Sequence, residues 1–176
     1  SGEALAGQVE SWLAQGLAEG LLADAVVAQS QSQAEALWAL RENISEAQKI
    51  EGVSIKHDVS VAVSKIPEFL DRAGAALDRD FPGVRIVAFG HVGDGNLHYN
   101  LSRAERQDNA DFIALQPAVN RIVHDLVADL GGSISAEHGI GQLKRDELRR
   151  YKSPVELDMM RAVKQALDPR GLMNPG

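Results

Sequence analysis

Two histidines that flank a glycine–aspartate–glycine turn are the first residues in this sequence that could do chemistry. They are His91 and His98, in the stretch HVGDGNLHYN. If Gly93-Asp94-Gly95 forms the tip of a hairpin, the two imidazoles lie opposite each other on antiparallel strands, with Cβ atoms about 5 Å apart. The glycines would supply the positive φ angles that such a tip needs. The spacing suits two ligands of one metal ion, but from spacing alone a glycine turn that carries two ordinary histidines is the simpler interpretation.

A carboxylate must complete such a site, because two imidazoles alone leave a divalent cation without charge compensation. Glu137, in the stretch ISAEHGIG, is the best candidate, at the end of a predicted strand and just before Gly139. Two imidazoles and one carboxylate with open positions suit Zn²⁺, Fe²⁺ or Mn²⁺. The next residue, His138, is either a base that takes a proton from a metal-activated hydroxyl or a fourth ligand or simple turn residue.

A basic group suggests a pocket for an anion. Arg41 and Ser45 are four residues apart on a predicted helix and so share a face, and Lys56 lies on the strand that follows. A guanidinium, a hydroxyl and an ammonium together bind a carboxylate well. Taken alone, Arg41 is better explained as a solvated surface charge.

The pattern of apolar residues predicts alternating helices and strands in an α+β fold, with helices packed on one face of a largely antiparallel sheet. Pro117 should kink its helix or mark the true start. We expect one domain without internal repeats. The predicted helices are 2–20, 32–50, 65–81, 110–132 and most of the remainder to 168, and the predicted strands are 23–29, 53–63, 84–91, 97–102 and 133–138.

Composition narrows the function classes. The chain has 176 residues, 44% of them hydrophobic, and a net charge of −7, which disfavours nonspecific binding to nucleic acid. It has no cysteine, which fits a reducing compartment, so we expect a cytoplasmic protein, either free or peripheral to a membrane. No apolar run approaches the roughly 20 residues that span a bilayer.

Five stretches, taken together, resemble the C-terminal domain of FAD-linked 2-hydroxy-acid dehydrogenases, a family that includes D-lactate dehydrogenase, the glycolate oxidase subunit and D-2-hydroxyglutarate dehydrogenase. They occur in the family's order and cover most of the chain from Leu37 onward. The stretches are LWALRENISEA, KHDVSV, GHVGDGNLHYN, GSISAEHGIGQLKRDEL and LDPRGLMNP.

The resemblance implies a role for each matching position. His57 stands where some relatives have an aromatic residue, and Ser45 where close relatives often have threonine, so the size of the substrate stays open. The implied ligands of a divalent metal, Zn²⁺ or Mn²⁺, are His91, His98 and Glu137; the implied base is His138; the implied substrate contacts are Arg41, Ser45, Lys56 and Asn100; and Asn174 lies in a segment that approaches the flavin.

The resemblance also implies a ferredoxin-like fold and the oxidation of a small D-2-hydroxy acid to the 2-oxo acid. FAD would be bound mainly by an N-terminal domain that has no counterpart in this chain. We therefore expect the substrate-binding half of a flavoenzyme, whose partner is its own flavin-binding domain and which is inactive alone. Two alternatives stay open: a stand-alone module that binds a small carboxylate, and a metal enzyme that needs no flavin.

Overall fold

A computed structural model describes residues 2–103 and 109–174, and the chain divides into two units, residues 1–50 and 51–176. The first unit contains α1 (Gly2–Ala18), α2 (Gln31–Glu42) and nearly all of α3 (Ile44–Glu51). Helix α2 begins after Ser30, whose side chain accepts the backbone N–H of Gln33. This is the usual N-terminal cap, which satisfies one of the free donors of the first turn.

Two predictions for the first unit are wrong. The helix expected over 32–50 is divided at Asn43, the single residue between α2 and α3, whose N–H still bonds to the carbonyl of Ala39. Arg41 and Ser45 therefore lie on successive helices, one on either side of that residue. The strand expected over 23–29 does not form, because no strand in the described part of the chain pairs with it.

The second unit is built on an antiparallel sheet with β4 (Asn96–Arg103) at its centre. Strand β3 (Val84–His91) pairs with one side of β4 over its full length. Strands β1 (Ser54–Ile55) and β2 (Asp58–Ser60) pair with the other side in succession. The hairpin of β3 and β4 agrees with the predicted strands, and the sheet with its helices confirms the α+β class.

The two faces of β4 differ in character because successive side chains of a strand point to opposite faces. On one face Leu97, Tyr99 and Leu101 are buried in the hydrophobic core. Residues of α4 (Ile66–Asp80) and α6 (Gln116–Asp129) belong to the same core. The ring centroids of Phe69, on α4, and Tyr99 are 5.1 Å apart. The opposite face is polar and carries Asn96, His98, Asn100 and Ser102.

The remaining helices are α5 (Asn109–Ala114), α6, α7 (Arg145–Tyr151) and α8 (Pro154–Leu167). Pro117 lies in the first turn of α6, where its missing N–H costs nothing, so it marks a helix start. Helix α8 begins with a capping box between Ser153 and Glu156. Among the helices of residues 2–103 and 109–174, none combines the length and the apolar character that crossing a bilayer requires.

Two predicted strands of the second unit are shorter than expected. The strand over 53–63 is interrupted at Lys56-His57, where the side chain of Asn100 accepts the His57 N–H in place of a backbone carbonyl. The strand over 133–138 is reduced to a single bridge between Ser133 and Ser60. Beyond that bridge the chain turns away from the sheet, and the side chain of Asp58 accepts the backbone N–H groups of the turn.

Candidate metal and active site

The hairpin loop sets the register of the two histidines. Val92–Asp94 form one turn of 3-10 helix, closed by Gly95 with φ of 70°, so strand pairing resumes at Asn96. His91 therefore faces Asn96, and His98 faces Phe89. The expectation that the two histidines lie directly opposite each other is wrong. They are diagonal neighbours across the pair, which long side chains can still span.

Glu137 lies between the two histidines. One carboxylate oxygen is 3.6 Å from Nδ1 of His91, and the other is 3.7 Å from Nε2 of His98. These separations exceed ordinary hydrogen bonds of about 2.7–3.2 Å. Two ligand atoms on one tetrahedral Zn²⁺, with bonds of about 2.0–2.2 Å, lie roughly 3.3 Å apart. Glu137 thus has the donor chemistry and the distance to share a divalent cation with either histidine, whereas the three residues together are not a described group whose ligand atoms all lie within 4.8 Å of one another.

Asn96 orients the Glu137 carboxylate. Its side-chain amide donates to Oε1 of Glu137, the oxygen that faces His91. Asn96 is buried, and its own side-chain oxygen has no hydrogen-bond partner within the described structure. A buried amide that holds a carboxylate in this way limits where the carboxylate can point.

Asp58, a residue that the sequence did not single out, holds the segment that carries Glu137 and His138. Its Oδ2 accepts the backbone N–H groups of Ala136, Glu137 and His138 at 3.1, 2.9 and 2.9 Å. Successive N–H groups of a strand point in alternate directions, so three that converge on one oxygen require a turn. Burial acts to raise the pKa of the Asp58 carboxyl, but the N–H groups of His138 and Glu137 outweigh it and lower the pKa.

His138 is exposed and lies against His98. The two rings are stacked with centroids 5.7 Å apart, and Nδ1 of His138 is 3.8 Å from Oδ2 of Asp58. The turn that follows uses Gly139 and Gly141, with φ of 74° and 54°. Because the backbone turns here, Glu137 and His138 can both reach the face of the sheet that carries His98.

A second set of possible ligands shares His98. Asp58, His98 and His138 each offer an atom such that all three lie within 4.8 Å of one another. Oδ2 of Asp58 already accepts three N–H bonds, while its Oδ1 is buried and has no hydrogen-bond partner within the described structure. The family resemblance favours His91, His98 and Glu137 as the ligand set, and these roles stay predictions.

A second polar cluster occupies the helix side of the sheet. His57 is buried, and its Nδ1 lies 2.8 Å from the carbonyl of Tyr99 and its Nε2 3.0 Å from the side-chain amide of Asn120. Burial lowers the pKa of His57 to about 4. His124 packs edge-on against His57 and bonds to Glu147, and burial lowers its pKa as well. Both rings are buried and belong to this cluster rather than to the group of His91, His98 and Glu137.

The remaining predicted substrate residues lie on several different elements. Asn100 lies on the polar face of β4, two residues from His98, and is buried. Lys56 is exposed between β1 and β2, where it lines a cavity of about 560 Å³ together with Arg121 and Lys144. Arg41 lies in the last turn of α2 and Ser45 in the first turn of α3, both in the first unit.

Asn174 is exposed near the end of the described residues and has a positive φ of 48°. Asparagine tolerates this left-handed conformation better than most residues. The predicted role of Asn174 beside a flavin stays a prediction.

Neither Asp58 nor Asn96 was predicted as a site residue from the sequence. Asp58 is a charged residue among the β-branched residues of KHDVSV, which was an available signal, whereas Asn96 lies between Gly95 and Leu97 and offers no such signal. Their contacts depend on a segment about 40 to 80 residues away along the chain, which no local pattern reveals.

Comparison with known proteins places the chain in one family. A family model described as "FAD linked oxidases, C-terminal domain" matches residues 1–176. A D-2-hydroxyglutarate dehydrogenase of Stutzerimonas stutzeri is 44% identical over 158 residues, covering 90% of this chain and 34% of that protein. Its counterpart in Xanthomonas citri is 42% identical, covering 90% and 33%. The mitochondrial one of Arabidopsis thaliana is 37% identical, covering 96% and 29%. The chain thus spans about a third of the length of these relatives.

Proposed function

Because this chain belongs to the C-terminal domain family of FAD linked oxidases, we propose that it is the substrate- and metal-binding part of an FAD-dependent oxidoreductase. The proposed reaction oxidises a D-2-hydroxy acid to its 2-oxo acid. D-2-hydroxyglutarate is the substrate we favour, since the three similar proteins described above are named for it. The ferredoxin-like arrangement of the sheet, the cytoplasmic location and the flavin-binding partner domain belong to the same proposal.

The observation that carries the proposal is the position of the Glu137 carboxylate between His91 and His98, at 3.6 and 3.7 Å. These three side chains would hold a divalent cation, Zn²⁺ or Mn²⁺. When bound, such a cation acts as a Lewis acid and template for the hydroxyl and carboxylate oxygens of a hydroxy acid. The same donor set would suit a flavin-independent metal enzyme, and membership of the family favours the flavin-dependent reaction.

His138 is the proposed base. Its Nδ1 faces the Asp58 carboxylate, which leaves Nε2 to take the proton from the substrate hydroxyl. The α-hydrogen leaves carbon with its electron pair, and FAD, when bound, is the hydride acceptor. The hydroxyl oxygen then becomes the carbonyl oxygen of the 2-oxo acid.

Binding of a substrate carboxylate is assigned to Arg41, Ser45, Lys56 and Asn100. For Asn100, its position two residues from His98 on the same face of β4 supports the role. For Arg41 and Ser45 the role rests on the family resemblance alone. Asn174 is proposed to approach the flavin on the same ground.

The test is a dye-reduction assay on the longer protein that contains this chain, with D-2-hydroxyglutarate, D-lactate, glycolate and L-2-hydroxyglutarate as substrates. We expect D-2-hydroxyglutarate to reduce the flavin fastest and its L-enantiomer not to react. The chain of 176 residues alone should turn over none of them, because hydride has no acceptor. Turnover by the chain without flavin would support the metal-enzyme alternative, and binding of the acids without any turnover by the longer protein would support the binding module.

A further inference from the structure

The buried carboxylate of Asp58 links the two segments that supply the proposed site. Asp58 is 3% exposed, and its backbone lies opposite His98 in the pairing of β2 with β4. Its side chain accepts N–H bonds from three successive residues of another segment, Ala136 to His138. Asp58 therefore connects the strand that carries His98 to the turn that carries Glu137.

We propose that Asp58 is a positioning residue, which fixes the 136–138 turn so that Glu137 and His138 face the same site as His98; the inference rests on the proposed function. Other bonds near the turn include that of the Ala136 N–H to the backbone carbonyl of Asp58, at 3.3 Å, and that of the Ser135 hydroxyl to the Gly139 carbonyl, at 2.7 Å. Ala136, Glu137 and His138 are all exposed and belong to no helix or strand. Without the carboxylate of Asp58, the N–H groups of Glu137 and His138 would turn to water and the turn would lose the bonds that fix its geometry.

The need for an acceptor follows from the backbone. Three N–H groups that converge on one point form a concave donor surface, which an anionic oxygen matches. A charged acceptor also makes stronger bonds than a neutral one. The carboxylate is thus suited to hold this turn, and a hydrophobic residue of similar size would leave the Glu137 and His138 donors with water as their partner.

A side-chain amide at position 58 can replace the carboxylate of Asp58 as an acceptor of N–H bonds, but not as a charged metal ligand. In Asp58→Asn an oxygen still accepts N–H bonds, although more weakly, while Asp58→Ala has no acceptor. If Asp58 were itself a metal ligand, replacing the carboxylate by an amide would remove the ligand charge and act much like alanine. The pair of variants therefore separates the two roles.

The first measurement is amide hydrogen exchange by NMR on the chain of 176 residues without metal. In Asp58→Ala we expect the N–H groups of Glu137 and His138 to exchange about 10- to 100-fold faster, since bonds to a charged acceptor are lost. In Asp58→Asn the increase should be smaller. Leu77→Ala, a core variant on α4 that removes a fully buried side chain, controls for general loss of stability and should leave these two amides as slow as in the wild type. Equal exchange in the wild type and Asp58→Ala would overturn the proposal.

The second measurement is Zn²⁺ binding by calorimetry on the same proteins. Asp58→Ala should bind Zn²⁺ about 10- to 100-fold more weakly, as when other supporting partners of metal ligands are lost, and Asp58→Asn should lose less. Equal and complete loss in both variants would mean that Asp58 is a ligand, and the positioning role would be wrong. If the wild type itself binds no Zn²⁺, the proposed metal site fails, while the exchange measurement still decides the role of Asp58.

Discussion

Acid should destabilise this protein in part through the buried side chain of His57. The ring is 2% exposed, and burial, followed by the nearby charge of His124, lowers its pKa from 6.5 to about 4. In the unfolded chain the ring regains its ordinary pKa of about 6.5. Between these two values the unfolded state binds the proton more tightly than the folded state, so stability falls as pH falls through that window.

The magnitude follows from the two pKa values. At about 1.36 kcal/mol for each pKa unit, the full effect is roughly 3 kcal/mol, of which about 2.5 kcal/mol is lost between pH 7.5 and pH 4.5. That loss is a large fraction of the 5–15 kcal/mol typical of domains. His57→Asn keeps a side-chain N–H that can reach the Tyr99 carbonyl and has no proton to gain. Its free energy of unfolding should therefore fall by about 2.5 kcal/mol less than that of the wild type over the same interval.

The assay is urea unfolding of wild type and His57→Asn at both pH values. Circular dichroism is the suitable signal, because both tryptophans, Trp12 and Trp38, lie in the first unit while His57 lies in the second. Leu77→Ala should lower stability at both pH values by the same amount and leave the pH dependence intact. If His57→Asn loses as much stability at pH 4.5 as the wild type does, the ring is not the source of the acid sensitivity.

Two further predictions concern the site. Gly95→Ala should lower the free energy of unfolding by at least about 2 kcal/mol, because a left-handed backbone costs an L-residue about 1–2 kcal/mol and the new Cβ would meet the Val61 carbonyl oxygen at 2.0 Å. Gly93→Ala, with nothing within 4 Å of its Cβ, is the matched control. Equal unfolding midpoints in the two variants would contradict the argument. Asn96→Ala should weaken Zn²⁺ binding about 10- to 100-fold in calorimetry, because Glu137 loses its orienting donor. Asn109 is exposed, and Asn109→Ala should bind Zn²⁺ as the wild type does. Unchanged Zn²⁺ affinity in Asn96→Ala would mean that Asn96 does not support the site.

The sequence predicted the parts of the fold that local patterns determine. The apolar stretch VRIVAFGH and the glycine turn after it were enough for the hairpin of β3 and β4. The position of Pro117 was enough to suggest a helix start there. The resemblance to the C-terminal domain of FAD-linked dehydrogenases is confirmed at the level of the family.

Other features depend on contacts that local patterns do not contain. The register of His91 and His98 follows from a 3-10 turn of three residues before Gly95, which shifts the pairing. The strand expected up to His138 gives way to a turn because Asp58, distant in sequence, captures three N–H groups. In the second case tertiary hydrogen bonds override what strand propensity alone favours.

The most direct test of the account compares His138 with His98 in the longer protein that contains this chain. We expect His138→Ala to keep its metal content, measured by atomic emission, while kcat falls about 10²- to 10⁴-fold, as when a general base is lost. In His98→Ala, metal content and kcat should fall together, because a ligand is lost. If His138→Ala loses its metal as fully as His98→Ala does, His138 is a ligand and the proposed division between metal site and base is wrong.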